Sequence, residues 1–151
     1  MKSKEDLAAD QAAFWNGPGG KMWLAAYGRI ERSLADLGAL AIEAAAPKSG
    51  EQVLDVGCGT GGTTEQIADR VAPLGGVLGV DISETLLIAA RQRGTALARF
   101  ELGDAATFPF TAGAFDLVFS RFGVMFFGDP IAAFRNLRRA MKPSARLVFI
   151  C

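Results

Sequence analysis

Histidine is missing from this chain altogether. That removes the commonest metal ligand and the commonest general base, so any chemistry here proceeds without imidazole. Cysteine is scarce. Of the two present, Cys58 lies inside a glycine-rich stretch and Cys151 is the last residue, a spacing that makes neither a disulfide framework nor a metal knuckle. Net charge is also absent, with 16 Lys and Arg against 16 Asp and Glu. No overall field then favours a phosphate backbone or an anionic membrane surface, and nucleic acid is not an expected partner. The longest apolar runs, such as Leu117 to Phe119 and Val124 to Phe127, fall far short of the roughly 20 residues that cross a bilayer. MKSKEDLAAD carries no hydrophobic leader, and the expectation is a cytoplasmic protein with no membrane contact.

What is there belongs to a folded α/β chain. Half of it is hydrophobic (50%) and its 151 residues suit one domain with a real core. Leu7 to Phe14 reads as a short helix closed by Asn16-Gly17-Pro18-Gly19-Gly20, which predicts a loop before the next element. From Lys21, Leu24, Tyr27, Leu34, Leu37 and Ala41 recur at helical steps toward Pro47, the stripe of a long helix. Residues 1–50 are thus expected as a helical extension, and residues 51–151 as the main domain.

From Gln52 the pattern alternates short apolar runs with helical stretches, as in a parallel sheet built from βαβ units. The expected strands are Val53–Val56, Val77–Val80, Ala98–Leu102, Phe115–Ser120 and Leu147–Ile150. Helices are expected at Thr63–Val71, Glu84–Arg93 and Pro130–Met141, the last with Ile131, Phe134, Leu137 and Met141 on one apolar face. Gly103–Ala114, broken by Pro109 and Gly113, predicts no helix.

The segment Val53-Leu54-Asp55-Val56-Gly57-Cys58-Gly59-Thr60-Gly61-Gly62 runs a strand into a glycine-rich turn and a helix. Glycine there permits positive φ and lets a ligand lie on bare backbone. Gly57, Gly59 and Gly62 also satisfy the spacing of a nicotinamide dinucleotide site. Asp55 weighs against that reading, because a carboxylate at the end of the first strand repels a pyrophosphate and suits a cationic cofactor.

At these residues the sequence resembles the class I S-adenosylmethionine-dependent methyltransferases, and the likeness continues downstream from about Glu51 to the end. It implies a Rossmann-like, doubly wound, mostly parallel sheet with an N-terminal helical extension. It also implies S-adenosyl-L-methionine as cofactor, S-adenosyl-L-homocysteine as product, and SN2 transfer of a methyl group to a small-molecule acceptor. By resemblance Asp81, followed by Ile82, holds the ribose hydroxyls, an acid that dehydrogenases share. Asp104 and the Ala105 amide hold the adenine. Asp55, Gly57, Cys58, Gly59 and Gly61 form the first motif, and Ser120, Arg121 and Phe122 lie near the transferred methyl. Leu137 to Phe149 is similar to the family's helix, a Lys142-Pro143-Ser144 turn and a fifth strand, with Ser144 where relatives often carry glycine. The style is nearest to the small-molecule group that includes ubiquinone and menaquinone enzymes. The family continues with two further strands and a helix, absent here, so the expectation is a chain shortened after its fifth strand, with self-association possible along that edge.

Other residues admit two readings. A non-catalytic nucleoside-binding or dinucleotide-binding module is the competing function. Asp116 starts the fourth strand at the end away from the crevice and is expected to be structural. Phe119 is expected in the core, while Phe122, Phe126 and Phe127 could line an apolar pocket. Arg121 could orient an anion or pair with a carboxylate. Trp15, Trp23 and Tyr27 could close over the cofactor or seat their helix. Arg135, Arg138, Arg139 and Lys142 read as a solvated flank. No general base and no metal ligand set is assigned.

Overall fold

The computed structural model describes residues 3–151. Two helices, α1 (Lys4–Asn16) and α2 (Pro18–Ala45), precede an alternating series: β1 (Gln52–Val56), α3 (Gly62–Val71), β2 (Gly76–Asp81), α4 (Glu84–Arg93), β3 (Ala98–Leu102), β4 (Phe115–Arg121), α5 (Pro130–Ala140) and β5 (Met141–Ile150). The strands form one fully parallel sheet in the order β3-β2-β1-β4-β5. This is the doubly wound, Rossmann-like α/β fold expected from the alternation of apolar runs, with the helical extension in place.

The central strands β1 and β4 are buried on both faces, which is why they are almost continuously apolar. Alternate side chains of β1 part company. Val53 joins Ile42, Ile67, Val71, Leu117 and Phe119 beneath α2 and α3. Leu54 and Val56 join Val118, Ala133 and Leu137 beneath α5. Phe119 is fully enclosed, as expected. Gly103–Ala114 forms no helix and instead contributes Ala105 and Phe110 to the second cluster.

Several expectations need correction. No loop separates the first two helices: Gly17 alone divides them, and Pro18 opens α2, where its missing N–H would be unpaired in any case. Gly19 and Gly20 are helical and buried because α1 lies against them. A Cβ on Gly19 would sit 2.2 Å from the Phe14 ring, and one on Gly20 2.1 Å from the Trp15 carbonyl oxygen. The expected stripe of α2 holds at Leu24, Tyr27 and Leu34, which are half-buried, and at Ala41, which is buried, but fails at Leu37, which is exposed while Gly38, Ile42 and Ala45 face inward. In α5, Ile131 is exposed and the buried face is Ala133, Leu137 and Ala140. At Gly38 the room goes to the Arg121 side chain, whose Nη1 a Cβ would meet at 3.3 Å. Finally, Lys142-Pro143-Ser144 is no separate turn. It is taken up within β5, whose pairing with β4 steps from Phe115↔Met141 to Leu117↔Arg146, a bulge in the strand.

No helix among the described residues is long and apolar enough to cross a membrane.

Candidate functional site

The strand order reverses between β1 and β4, and in an open parallel sheet the crevice outside the carboxyl ends at that point is where ligands bind. A cavity of about 350 Å³ opens there. Its floor is the turn Gly57-Cys58-Gly59-Thr60, which follows β1. Gly57, Gly59 and Gly61 all have positive φ, at 69°, 55° and 82°. A Cβ on Gly59 would meet only Leu86 Cδ1 at 3.9 Å, so this backbone is open to whatever lies on it.

Two carboxylates reach the cavity from successive strand ends. Asp81, at the end of β2, accepts from the Gly59 amide (2.8 Å) and the Ser83 amide (2.8 Å), which ties the β2 end to the glycine turn. Burial pushes its carboxyl up from the ordinary range, opposed by those amides. Asp104, beyond β3, accepts from the Ala106 amide at 2.8 Å, an Asx-type turn that fixes its side chain. Ile82 and Ala105 line the cavity beside them.

The third carboxylate behaves differently. Asp55 does not line the cavity: alternation along β1 puts it on the α3 face, fully buried. Its Oδ2 accepts from the hydroxyls of Thr63 (2.9 Å) and Thr64 (2.7 Å), and its Oδ1 has no partner. Burial pushes its pKa up to about 6. The Thr64 and Thr63 hydroxyls and the Arg121 charge oppose that rise, and Asp81 adds to it. Gly61 also lies off the cavity, capping α3, where a Cβ would come 2.9 Å from the Phe100 ring. Ser120 is buried and binds β4 to β1, donating to the Val56 carbonyl at 2.7 Å. Cys58 does line the cavity, and burial, with Asp55 and Asp81 nearby, holds its thiol well above the usual range.

Arg121 leaves the end of β4 and pairs with Glu31 of α2 through two contacts, 2.6 and 3.2 Å. Phe122 follows with φ at 59°, a conformation that bulky residues rarely adopt. The cavity continues along Met125, Phe126 and Phe127, and Trp15 and Trp23 roof it from α1 and α2. Trp15 meets Phe126 edge to face at 5.2 Å and Trp23 at 5.9 Å, so these two rings both pack on neighbours and line the crevice, whereas Tyr27 stays outside it, with the Arg93 guanidinium 4.5 Å over its ring. Asn16 anchors this roof, donating to the Ile82 carbonyl (2.9 Å) and accepting from the Glu84 amide (2.8 Å).

The order of strands, the glycine turn and the paired acids find a match among known proteins. The sequence matches the methyltransferase domain family over residues 54–149. The chain belongs to that family. Among curated relatives of this methyltransferase-domain chain is nocamycin O-methyltransferase of Saccharothrix syringae, 37% identical over 105 residues, spanning 67% of this chain and 38% of the relative. Demethylmenaquinone methyltransferase of Staphylococcus aureus is 34% identical over 103 residues, spanning 67% of this chain and 43% of the relative. The chain thus spans about two-fifths of the length of these relatives. A solved structure of Haemonchus contortus phosphoethanolamine N-methyltransferase 2, in complex with phosphomonomethylethanolamine and S-adenosylhomocysteine, superposes with a TM-score of 0.70 at 29% identity. It covers 76% of this chain and 27% of that one.

Within this family member the fold brings Gly57, Cys58, Gly59, Asp81, Ile82, Asp104, Ala105, Arg121 and Phe122 to one cavity and leaves Asp55, Gly61 and Ser120 behind its walls. Sequence reasoning missed Glu31, Thr63 and Met125, which line it as well. Glu31 falls on a helix face of mixed character, with no local signal that sets it apart. Asp116 is structural, as expected: it holds Lys142 at 2.7 Å and accepts from the Gln52 amide at 2.9 Å.

Proposed function

We propose that this chain supplies the cofactor-binding portion of an S-adenosylmethionine-dependent methyltransferase acting on an apolar small molecule. The observation that carries the reading is the convergence of Asp81 and Asp104 on a cavity whose floor is the bare backbone of Gly57–Gly59. The residues fit such a cofactor. Asp81 would accept hydrogen bonds from ribose hydroxyls, the carboxylate of Asp104 and the Ala105 amide would suit the edge of an adenine, and Gly59 carries nothing that would fill the space above the turn. Asp55, unpartnered at Oδ1 in a buried position, places negative charge behind the floor, which favours a cationic ligand over a pyrophosphate.

When bound, the sulfonium supplies an electrophilic methyl group. The chain's own contribution is to hold the partners in line and keep water out. Trp15 and Phe126 close the roof, Phe122 and Met125 give the far wall an apolar surface, and Gly57–Gly59 set the depth. That lining, and the relatives named for an O-methyl transfer and for demethylmenaquinone, support an apolar acceptor.

Titration calorimetry with S-adenosylhomocysteine, S-adenosylmethionine and NAD tests the proposal. Binding of the first two without NAD is the expected result. Binding of NAD alone would overturn it in favour of a dinucleotide module.

A further inference from the structure

The cavity contains one feature that adenosine recognition leaves unused. Glu31 and Arg121, ninety positions apart, meet inside it with side chains only 20% and 10% exposed. A largely covered ion pair is a poor way to hold α2 on the sheet, because desolvation offsets much of the attraction and apolar residues would serve as well. It is, however, a good way to hold a ligand that carries both charges. We infer that Glu31 and Arg121 form the receptor for an amino-acid zwitterion, with the Arg121 guanidinium taking the ligand's carboxylate and the Glu31 carboxylate its ammonium group. This rests on the cofactor reading above, since S-adenosylmethionine ends in that group.

Three observations carry it. Among the described residues that line the cavity, Arg121 is the one cation, so an anionic group of a ligand has no other side-chain charge to meet there. The two acids nearer the nucleoside end are already engaged by backbone amides, Asp81 by Gly59 and Ser83 and Asp104 by Ala106. Glu31 is instead held by the Arg121 side chain, and a zwitterion can exchange that pair for two without leaving net charge buried. Finally, the fold aims the pair. Gly38 leaves the room in which Arg121 lies on α2, since a Cβ there would sit 3.3 Å from Arg121 Nη1. Glu31 Oε2 lies 3.2 Å from where a Cβ on Gly62 would stand. That places Glu31 at the start of α3, beside the glycine turn, with Thr63 lining the same cavity.

The test compares S-adenosylhomocysteine with 5′-methylthioadenosine, which keeps the adenosine and the thioether sulfur but lacks the aminocarboxylate. Affinities are measured by calorimetry on the wild type, Arg121→Gln, Arg121→Lys and Glu31→Gln, with thermal melts to confirm folding. Arg121→Gln is expected to weaken S-adenosylhomocysteine about 10- to 100-fold, the scale of a lost charged hydrogen bond. Methylthioadenosine should change by less than about twofold. Arg121→Lys should recover part of the loss, because it keeps the charge without the fork. Glu31→Gln should show the same selectivity for the ligand with the amino group. A parallel fall for both ligands would mean that the pair only seats α2, and no change for either would make it a spectator; both overturn this inference while the cofactor reading stands. A wild type that binds neither ligand would overturn the cofactor reading, and this inference with it. Should Arg121→Gln fail to fold, Arg121→Lys and Glu31→Gln decide by the same ratio.

Discussion

Gly57 and Gly123 touch backbone to backbone at the switch point of the sheet: a Cβ on Gly57 would lie 2.7 Å from the Cα of Gly123. The contact sets the turn after β1 directly against the turn after β4, so the cavity floor and its far wall meet there with no room for a side chain between them. Gly57 is doubly constrained, by positive φ and by this neighbour. Gly113 has a similar φ of 62°, but a Cβ there would meet nothing within 4 Å. Gly113→Ala should therefore cost only the left-handed strain, about 1–2 kcal/mol. Gly57→Ala should cost clearly more, about 3 kcal/mol or above, because backbone must shift as well. Urea unfolding of the two variants checks the order, and equal costs would show that the glycine contact matters little.

Asp55 makes stability depend on pH. Its carboxyl is raised from 3.8 to about 6 in the folded chain, with burial as the leading cause. A raised carboxyl contributes its stability fully below the unfolded value, and that stability is lost as pH climbs through the folded value. The window is therefore about pH 4 to 6, and the loss amounts to about 3 kcal/mol. Asp55→Asn removes the titration. The stability of the variant relative to the wild type should rise by about that amount between about pH 4 and about pH 7, measured by chemical unfolding at each pH. A difference that stays flat across the range counts against a buried, titrating Asp55.

Phe122 inverts the usual ranking of alanine and glycine. At φ 59° an L-residue is strained and glycine is not, so Phe122→Gly should be more stable than Phe122→Ala by about 1 kcal/mol. Both variants remove the ring from the cavity wall and should weaken S-adenosylhomocysteine similarly. Paired melts and titrations check both statements. An alanine variant as stable as the glycine one would mean that the turn relaxes when the ring is gone.

Asn16 ties the helical roof to the start of α4. Asn16→Ala removes the bonds to the Ile82 carbonyl and the Glu84 amide and should cost about 1–3 kcal/mol, since two backbone groups lose their partner at once. Hydrogen exchange in α1 should quicken, and cleavage near Gly17 by a protease should become easier, while the β1–β4 core stays protected. Uniform loss of protection would instead show that α1 unfolds with the whole domain.

Much of this is readable in the sequence because it is local. The run from Val53 to Gly62 announces a buried strand, a turn that needs positive φ and a helix, and Asp81 and Asp104 announce themselves by closing the next two strands. Other features are not readable because their partners are distant in the chain. Asn16 reads as part of a helix breaker, yet it holds the first turn of a helix that begins at Glu84. Leu37 and Ile131 read as core positions, yet the inner faces go to Gly38, against which the distant Arg121 side chain lies, and to Ala133. Asp55 sits in the motif that floors the cavity, but the two-residue period of β1 turns it toward Thr63 and Thr64.

The amino-acid order by itself determined the element types, the parallel α/β architecture and the acids at the strand ends, because each depends on side-chain periodicity and turn chemistry within a few residues. Only the tertiary structure decided which of those residues share the cavity, that Glu31 meets Arg121 inside it, and that α1 roofs it. Those facts depend on how α2 crosses the sheet and on which side of β1 the strand order reverses, and such relationships arise from packing between segments rather than within them.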